Sequence, residues 1–159
     1  MLVTLVNIAI YVHLQNIIAL GKKNRQKLTL WIVVIIGGAK MKIRGILINE
    51  ETQKVSVEEV DDDFRALQTI INADFFEIAR RKISNKTYAI ICDDEGLLKD
   101  RRITAINLGH SEDILVGSLF ICNEFGPELA SLLDVEIVEI SQSIGCNVSD
   151  GSPILMIGD

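Results

Sequence analysis

The sequence has few cysteines, prolines and aromatic residues. Its three cysteines, Cys92, Cys122 and Cys146, are odd in number, widely spaced and without a CxxC pair. This pattern excludes a disulfide framework and a zinc ribbon, and it indicates reduced thiols in a cytoplasmic protein. Two prolines and eleven glycines exclude a collagen-like or low-complexity chain. The length of 159 residues predicts one domain with a modest core.

Motifs that carry catalysis are also missing. The sequence contains no glycine-rich phosphate loop, no GxSxG elbow and no HExxH pair. His110 is the only histidine after residue 40, and its polar neighbours predict an exposed loop residue. Cys92 would be a nucleophile only beside a base, and the sequence shows none near it. We therefore predict no catalytic residue, no metal site and no cofactor, and we predict that the protein is not an enzyme.

Acidic residues are absent from residues 1–40, which carry five lysines and arginines. Met1–Leu20 is largely apolar, and a basic cluster follows it. The glycine pair before Met41 is compatible with a ribosome-binding site in the underlying DNA, so we interpret residues 1–40 as a leader translated from noncoding sequence. The alternative is an N-terminal membrane anchor, because the first apolar run is long enough to span a bilayer.

The remainder of the chain is strongly acidic. Residues 41–159 hold the other 11 basic residues and all 22 acidic ones, a net charge of −11. This charge disfavours direct nucleic-acid binding and suits an acidic surface that meets a basic partner, although solubility alone would also explain it. We interpret the two acidic clusters as a helix cap and a turn rather than as metal ligands. The candidate interaction surface comprises Asp61, Asp62, Asp63, Asp93, Asp94 and Glu95.

Hydrophobic periodicity predicts an α+β domain at residues 41–144, followed by a loose tail at 145–159, with a short edge strand at Ile154–Ile157 as the alternative for part of that tail. The order is β-β-α-β-β-β-α, with two helices and a small mixed or antiparallel sheet of about five strands. Its first helix has a predicted apolar stripe. The stripe consists of Phe64, Leu67, Ile70 and Ile71. A capping box at Ser131–Asp134 is predicted to begin the second helix, and a strand is the competing interpretation of that segment. The predicted strands are 41–49, 54–58, 75–79, 88–92 and 113–122.

Three short phrases carry a resemblance to a known family. They are Ile91–Gly96 (ICDDEG) after a strand, Asp113–Cys122 (DILVGSLFIC), and Ser131–Ile137 (SLLDVEI) at the start of a short helix. Their order and spacing resemble the domain of unknown function 3846 family over residues 41–144. The resemblance implies an origin in bacteriophages or in conjugative elements of gut Firmicutes. It implies no catalytic residues.

Two basic clusters supply the remaining candidate site. Arg80, Arg81, Arg101 and Arg102 would hold an anion such as a nucleotide if they converged, and would otherwise be ordinary surface charge. Three functions stay open. The first is a non-enzymatic accessory protein of a mobile element that binds another protein, such as a host defence protein, through acidic surface. The second is a small-ligand-binding module, and the third is a membrane-anchored protein with a cytoplasmic domain.

Overall fold

The structure, a computed structural model, describes residues 41–110 and 112–158. The predicted leader, and the membrane anchor that is its alternative, lie outside the described residues. Residues 41–159 form a compact unit by themselves.

The described residues contain ten strands, two α-helices and one 3₁₀ turn at Gly96–Leu98. The strands are β1 (Lys42–Asn49), β2 (Lys54–Asp61), β3 (Phe76–Ile83), β4 (Lys86–Asp93), β5 (Ile103–Asn107), β6 (Ile114–Val116), β7 (Leu119–Phe125), β8 (Glu128–Ala130), β9 (Ile144–Cys146) and β10 (Pro153–Ile157), and the helices are α1 (Phe64–Ile71) and α2 (Asp134–Gln142). The α+β class is confirmed. The prediction of one sheet of about five strands is wrong, because the strands form two sheets.

Sheet A has the order β2-β1-β7-β4-β3, and β8 also pairs with β7. All its pairs are antiparallel, and β1 pairs with β2 along its whole length, from Lys42 opposite Asp61 to Asn49 opposite Lys54. Sheet B has the order β6-β5-β10-β9, in which β10 runs parallel to β5. Strands β2 and β3 are therefore the two edges of sheet A, which places their charged side chains at opposite rims.

Sheet A is covered on both faces. Leu67 and Ile71 of α1 pack on one face, together with Phe120 from β7. Ile140 of α2 and Leu155 of sheet B pack on the other face. Because strands β1, β7 and β4 are buried on both sides, their sequences are nearly continuous in apolar residues rather than alternating.

The predicted strand at 113–122 is in fact two strands in different sheets. It divides at Gly117, whose φ of +79° turns the chain from β6 at the edge of sheet B into β7 at the centre of sheet A. Only glycine adopts that conformation without strain. The buried Thr104 hydroxyl donates to the Gly117 carbonyl at 2.6 Å and holds the turn in place. The apolar character of both strands hides this break from a periodicity argument.

The segment after residue 144 is not a loose tail. Strands β9 and β10 belong to sheet B, and β10 is an interior strand with Leu155 fully buried. The domain therefore continues to the end of the described residues. Strand β10 has only five residues, one of them proline, so its sequence pattern does not distinguish a strand from a loop.

Helix α1 begins as the sequence predicts, because the Asp63 carboxylate accepts a hydrogen bond from the Ala66 N–H at 2.8 Å. Asn72 ends it in the left-handed conformation. Leu67 and Ile71 are buried, but Phe64 is 55% exposed and stacks on Phe76, so its place in the predicted buried stripe is wrong. The helix lies on one face of sheet A, where Leu67 and Ile71 share a core cluster with Val60 of β2.

Helix α2 begins at Asp134, and the predicted capping box at Ser131 does not form. The Ser131 hydroxyl instead accepts from the Arg44 N–H at 3.0 Å. Glu136 supplies half of a capping box two residues later, at Leu133–Glu136, since its carboxylate accepts from the Leu133 N–H at 2.7 Å. It also accepts from the Asn123 amide at 2.6 Å and from Lys86. Burial opposes the charge of Glu136, but these donors outweigh it and lower the pKa of the carboxyl.

We expect Glu136→Gln to lower the free energy of unfolding by about 1–2 kcal/mol at pH 7, because an amide replaces a carboxylate that accepts three hydrogen bonds. Because the pKa of Glu136 is lower in the folded state, its carboxylate stabilises the fold fully at pH values above the pKa of the unfolded carboxyl, about 4.3. This stabilisation disappears as the pH falls through the lower pKa of the folded state. Urea unfolding of both proteins across this range measures the effect. A difference that stays constant into strong acid would contradict this origin.

Candidate functional site

The four candidate arginines do not form one site. Arg80 and Arg81 lie within β3 and line one cavity, whereas Arg101 precedes β5 and lines another. Each arginine also has its own carboxylate. The pairs are Arg80 with Glu124, Arg81 with Asp113 at 2.9 Å, Arg101 with Asp93 at 3.3 Å and Glu50 at 3.4 Å, and Arg102 with Asp150. The convergence that an anion site of all four requires is therefore absent from the described residues.

Asp93 is a buried structural residue and not part of an exposed acidic surface, which corrects the sequence interpretation. Its side chain is fully buried at the end of β4, and the Lys99 ammonium donates to its two oxygens at 3.1 and 3.0 Å. The Glu95 N–H donates to it at 3.1 Å. Together with Arg101 and Glu50, these groups form a compact ionic cluster beneath the turn that follows β4.

The other candidate acidic residues divide between two places. Asp94 and Glu95 are exposed in the turn after β4, where Glu95 pairs with Lys99 at 3.4 Å. Asp61 ends β2, Asp62 is exposed beside it, and Asp63 caps α1. The described structure therefore does not unite the predicted acidic surface, and the part next to β2 is the larger one.

The acidic group around β2 extends beyond the predicted aspartates. Residues 50–63 contain seven acidic residues and one lysine. Glu59 and Asp62 are exposed, and Glu58 is half-buried. Sequence reasoning placed Glu58 at the end of the strand and Glu59 beyond it, where the alternation of apolar and polar residues stops, and did not join either glutamate to the aspartates.

The outer side of β2 carries backbone groups as well as charge. The Asp62 N–H donates to the Met41 carbonyl at 2.8 Å, which makes Met41 and Asp62 a hydrogen-bonded pair. Antiparallel pairs alternate, so the N–H and C=O groups of Val55, Val57 and Glu59 point away from β1. In the part of the chain that the structure describes, no strand pairs with this side of β2.

Two apolar side chains accompany the acidic ones on β2. Val55 and Val57 lie opposite Ile48 and Ile46, which point toward sheet B, yet they are 41% and 45% exposed. Sheet B therefore does not extend over β2. We call the side chains of Val55, Val57, Glu58 and Glu59, with the outward backbone groups between them, the β2 rim.

The cysteines of the core are poor nucleophiles. Burial, followed by the neighbouring Glu77 carboxylate, raises the pKa of the Cys92 thiol to about 12. Burial likewise raises the pKa of Cys122 to about 12. Both thiols are therefore protonated at neutral pH, which disfavours the thiolate that nucleophilic catalysis needs. Cys146 is exposed on β9.

The described residues contain neither a metal-binding cluster nor a membrane-spanning helix. No group of three or more histidine, cysteine, aspartate or glutamate side chains in residues 41–110 and 112–158 is arranged to hold a metal ion. Within the same ranges, neither helix has the length and apolar character that crossing a membrane requires.

Comparison with known proteins gives one match. The sequence model of the family described as Domain of unknown function (DUF3846) matches residues 41–144. No curated protein and no solved structure matches the chain significantly.

Proposed function

The chain belongs to the DUF3846 family, and from that premise we propose that it is a binding protein that holds an extended basic segment of another protein along the β2 rim. It acts in the cytoplasm as a non-enzymatic accessory protein of a phage or another mobile element, and a host protein supplies the basic segment. The observation that carries the proposal is an acidic edge strand whose outer backbone groups pair with no other described strand.

Charge selects the kind of partner. Seven acidic residues and one lysine between positions 50 and 63 produce a negative potential along one rim of the domain. A second β2 rim would bring like charges together, which disfavours pairing between two copies and is a common protection of edge strands. A strand that carries lysine or arginine removes this repulsion and gains attraction during the encounter.

The backbone and the two valines supply the remaining contacts. A partner strand would pair with the outward N–H and C=O groups of Val55, Val57 and Glu59, in the manner of strand addition to an exposed sheet edge. Val55 and Val57 would contact alternate apolar residues of the partner, since alternate side chains share one face of a strand. The preferred segment therefore alternates apolar and basic residues.

We expect the full chain to bind a peptide of about ten residues in which valine alternates with lysine. The Kd should rise by about tenfold or more when Glu58 and Glu59 are both replaced by lysine, because two attractive positions on the β2 rim become repulsive. Fluorescence anisotropy of the labelled peptide measures the change, and added salt should weaken the binding of the unchanged protein.

Two control variants separate pairing at the rim from general charge attraction. Glu112→Lys with Glu139→Lys makes the same change of net charge at two exposed positions outside β2 and should leave the Kd within about twofold. Val57→Pro removes an outward N–H without removing a bond to β1, so it should abolish binding while the chain stays folded. Strand addition would be overturned if the two double-lysine variants lost peptide affinity equally, or if the proline variant bound the peptide as tightly as the unchanged protein.

A further inference from the structure

A second site lies at the opposite rim of sheet A. A cavity of about 250 Å³ is lined by Arg80, Arg81, Lys82, Asn107, Gly109, His110 and Gly158. Three successive basic residues of β3 thus meet the loop that follows β5. Successive side chains of a strand point to opposite faces, so Arg80, which pairs with Glu124 of β7, and Arg81, which pairs with Asp113, line this cavity at the rim of β3 from opposite faces of the sheet.

The ion pairs of the two arginines leave part of each guanidinium for a ligand. Arg80 uses Nε and Nη2 for Glu124. Arg81 uses Nε for Asp113 and Nη1 for the Arg80 carbonyl. A guanidinium has three nitrogens and five N–H donors, so these contacts do not use Nη1 of Arg80 or Nη2 of Arg81. The carboxylates hold the two side chains in place rather than saturating them.

The loop that closes the cavity is held by Asn107. Its side-chain oxygen accepts from the Gly109 N–H at 2.9 Å and from the His110 N–H at 3.3 Å. Its backbone N–H donates to the Asp113 carbonyl at 3.0 Å, and Asp113 is the carboxylate that pairs with Arg81. One aspartate therefore links the strand arginine to the loop that carries His110.

Glycine at position 158 keeps the opposite wall close to this loop. The Gly158 N–H donates to the Lys82 carbonyl at 2.8 Å, which fixes the end of β10 against β3. A Cβ at this position would lie 2.5 Å from the side-chain oxygen of Asn107. The cavity is therefore a closely packed arrangement of three chain segments, and not a chance gap between mobile side chains.

We propose that this cavity binds the phosphate group of a small phosphorylated molecule or of inorganic phosphate. The two arginine guanidinium groups suit the several oxygens and the double charge of phosphate better than a single carboxylate. The cavity admits a phosphate group with a small part of its substituent, and the bulk of a larger ligand would extend into solvent. The site is separate from the β2 rim and would operate whether or not that rim binds a peptide.

Isothermal titration calorimetry of the full chain tests the site at low ionic strength, with inorganic phosphate in one series and adenosine monophosphate in the other. We expect a Kd of about 1 mM or below for at least one of them. Tighter binding of the ester would identify a phosphorylated molecule as the ligand, and tighter binding of inorganic phosphate would identify the free ion. Absence of binding of both at about ten times that concentration would overturn the proposal.

Arg80→Gln with Arg81→Gln should weaken the binding by about tenfold or more, whereas Lys54→Gln with Arg65→Gln, the same charge change elsewhere, should not. Because the first pair also loses two ion pairs, Gly109→Asp provides an independent variant. A Cβ at Gly109 meets only one atom, at 3.5 Å, so the variant places a carboxylate beside the cavity without disturbing β3. Thr52→Asp, which adds the same charge at an exposed turn near the opposite rim, is its control. Equal phosphate affinity in the two aspartate variants would also overturn the proposal.

Discussion

Replacement of Asp93 by alanine should lower the free energy of unfolding by about 3–5 kcal/mol, the cost of removing one partner from a buried ion pair. The Asp93 side chain has no exposed surface. Without it, Arg101, whose side chain is only 15% exposed, keeps its 3.4 Å contact with Glu50 but loses the carboxylate that faces Nη1. Lys99 is 34% exposed and can turn toward solvent, so the larger share of the cost arises from Arg101.

Urea unfolding of the full chain measures this cost, and the neighbouring position provides the control. Asp94 is exposed, so Asp94→Ala removes the same charge and should change the free energy of unfolding by less than about 0.5 kcal/mol. If the penalty is an unpaired buried cation, Arg101→Met added to Asp93→Ala should recover part of it. If Asp93→Ala lowers the free energy of unfolding by less than about 1 kcal/mol, water solvates Arg101 in place of the carboxylate and the predicted penalty is wrong.

Local signals in the sequence predicted the parts of the fold that depend on neighbouring residues. Asp63 caps α1 as predicted, because the bond joins residues three positions apart. The β1–β2 hairpin was predicted because alternation in β2 and a polar turn are both contained in a short window. The α+β class followed from these elements.

The errors arise where distant residues decide the structure. Asp93 stands beside Asp94 and Glu95 in an acidic turn, and only its contact with Arg101, which in turn pairs with Glu50 after β1, makes it a buried residue. The division of 113–122 between two sheets has Gly117 as its only local signal. Strands β9 and β10 are short, and their pairing with β5 depends on the complete sheet.

The candidate site was predicted only in part for the same reason. The acidic clusters and the basic clusters are visible in the sequence, but their separation in space is not. Because β2 and β3 are at opposite edges of sheet A, the acidic residues of β2 lie at one rim and the basic residues of β3 lie at the other. His110 was correctly predicted to be an exposed loop residue, yet its position beside Arg80 and Arg81 depends on how β5 packs near β3.

A single methyl group at Gly45 should destabilise the domain by about 3 kcal/mol or more, the upper range for overpacking of a core. An added Cβ would lie 2.5 and 2.8 Å from two ring atoms of Phe120 and closer still to the carbonyl oxygen of Ile121. The ring is fully buried between β7 and α1, and the carbonyl belongs to the adjacent strand, so neither moves without disturbing sheet A.

Alanine ordinarily stabilises a strand relative to glycine by about 0.5–1 kcal/mol, so the sign of the change distinguishes crowding from propensity. Urea unfolding of Gly45→Ala measures the effect, with Gly109→Ala as the control, because its Cβ makes an ordinary contact at 3.5 Å. Phe120→Leu in the same chain should recover only part of the loss, since the backbone oxygen of Ile121 remains. An alanine variant as stable as the original protein would contradict the close approach of β1 and β7 at this point, and with it the packing that holds the β2 rim on sheet A.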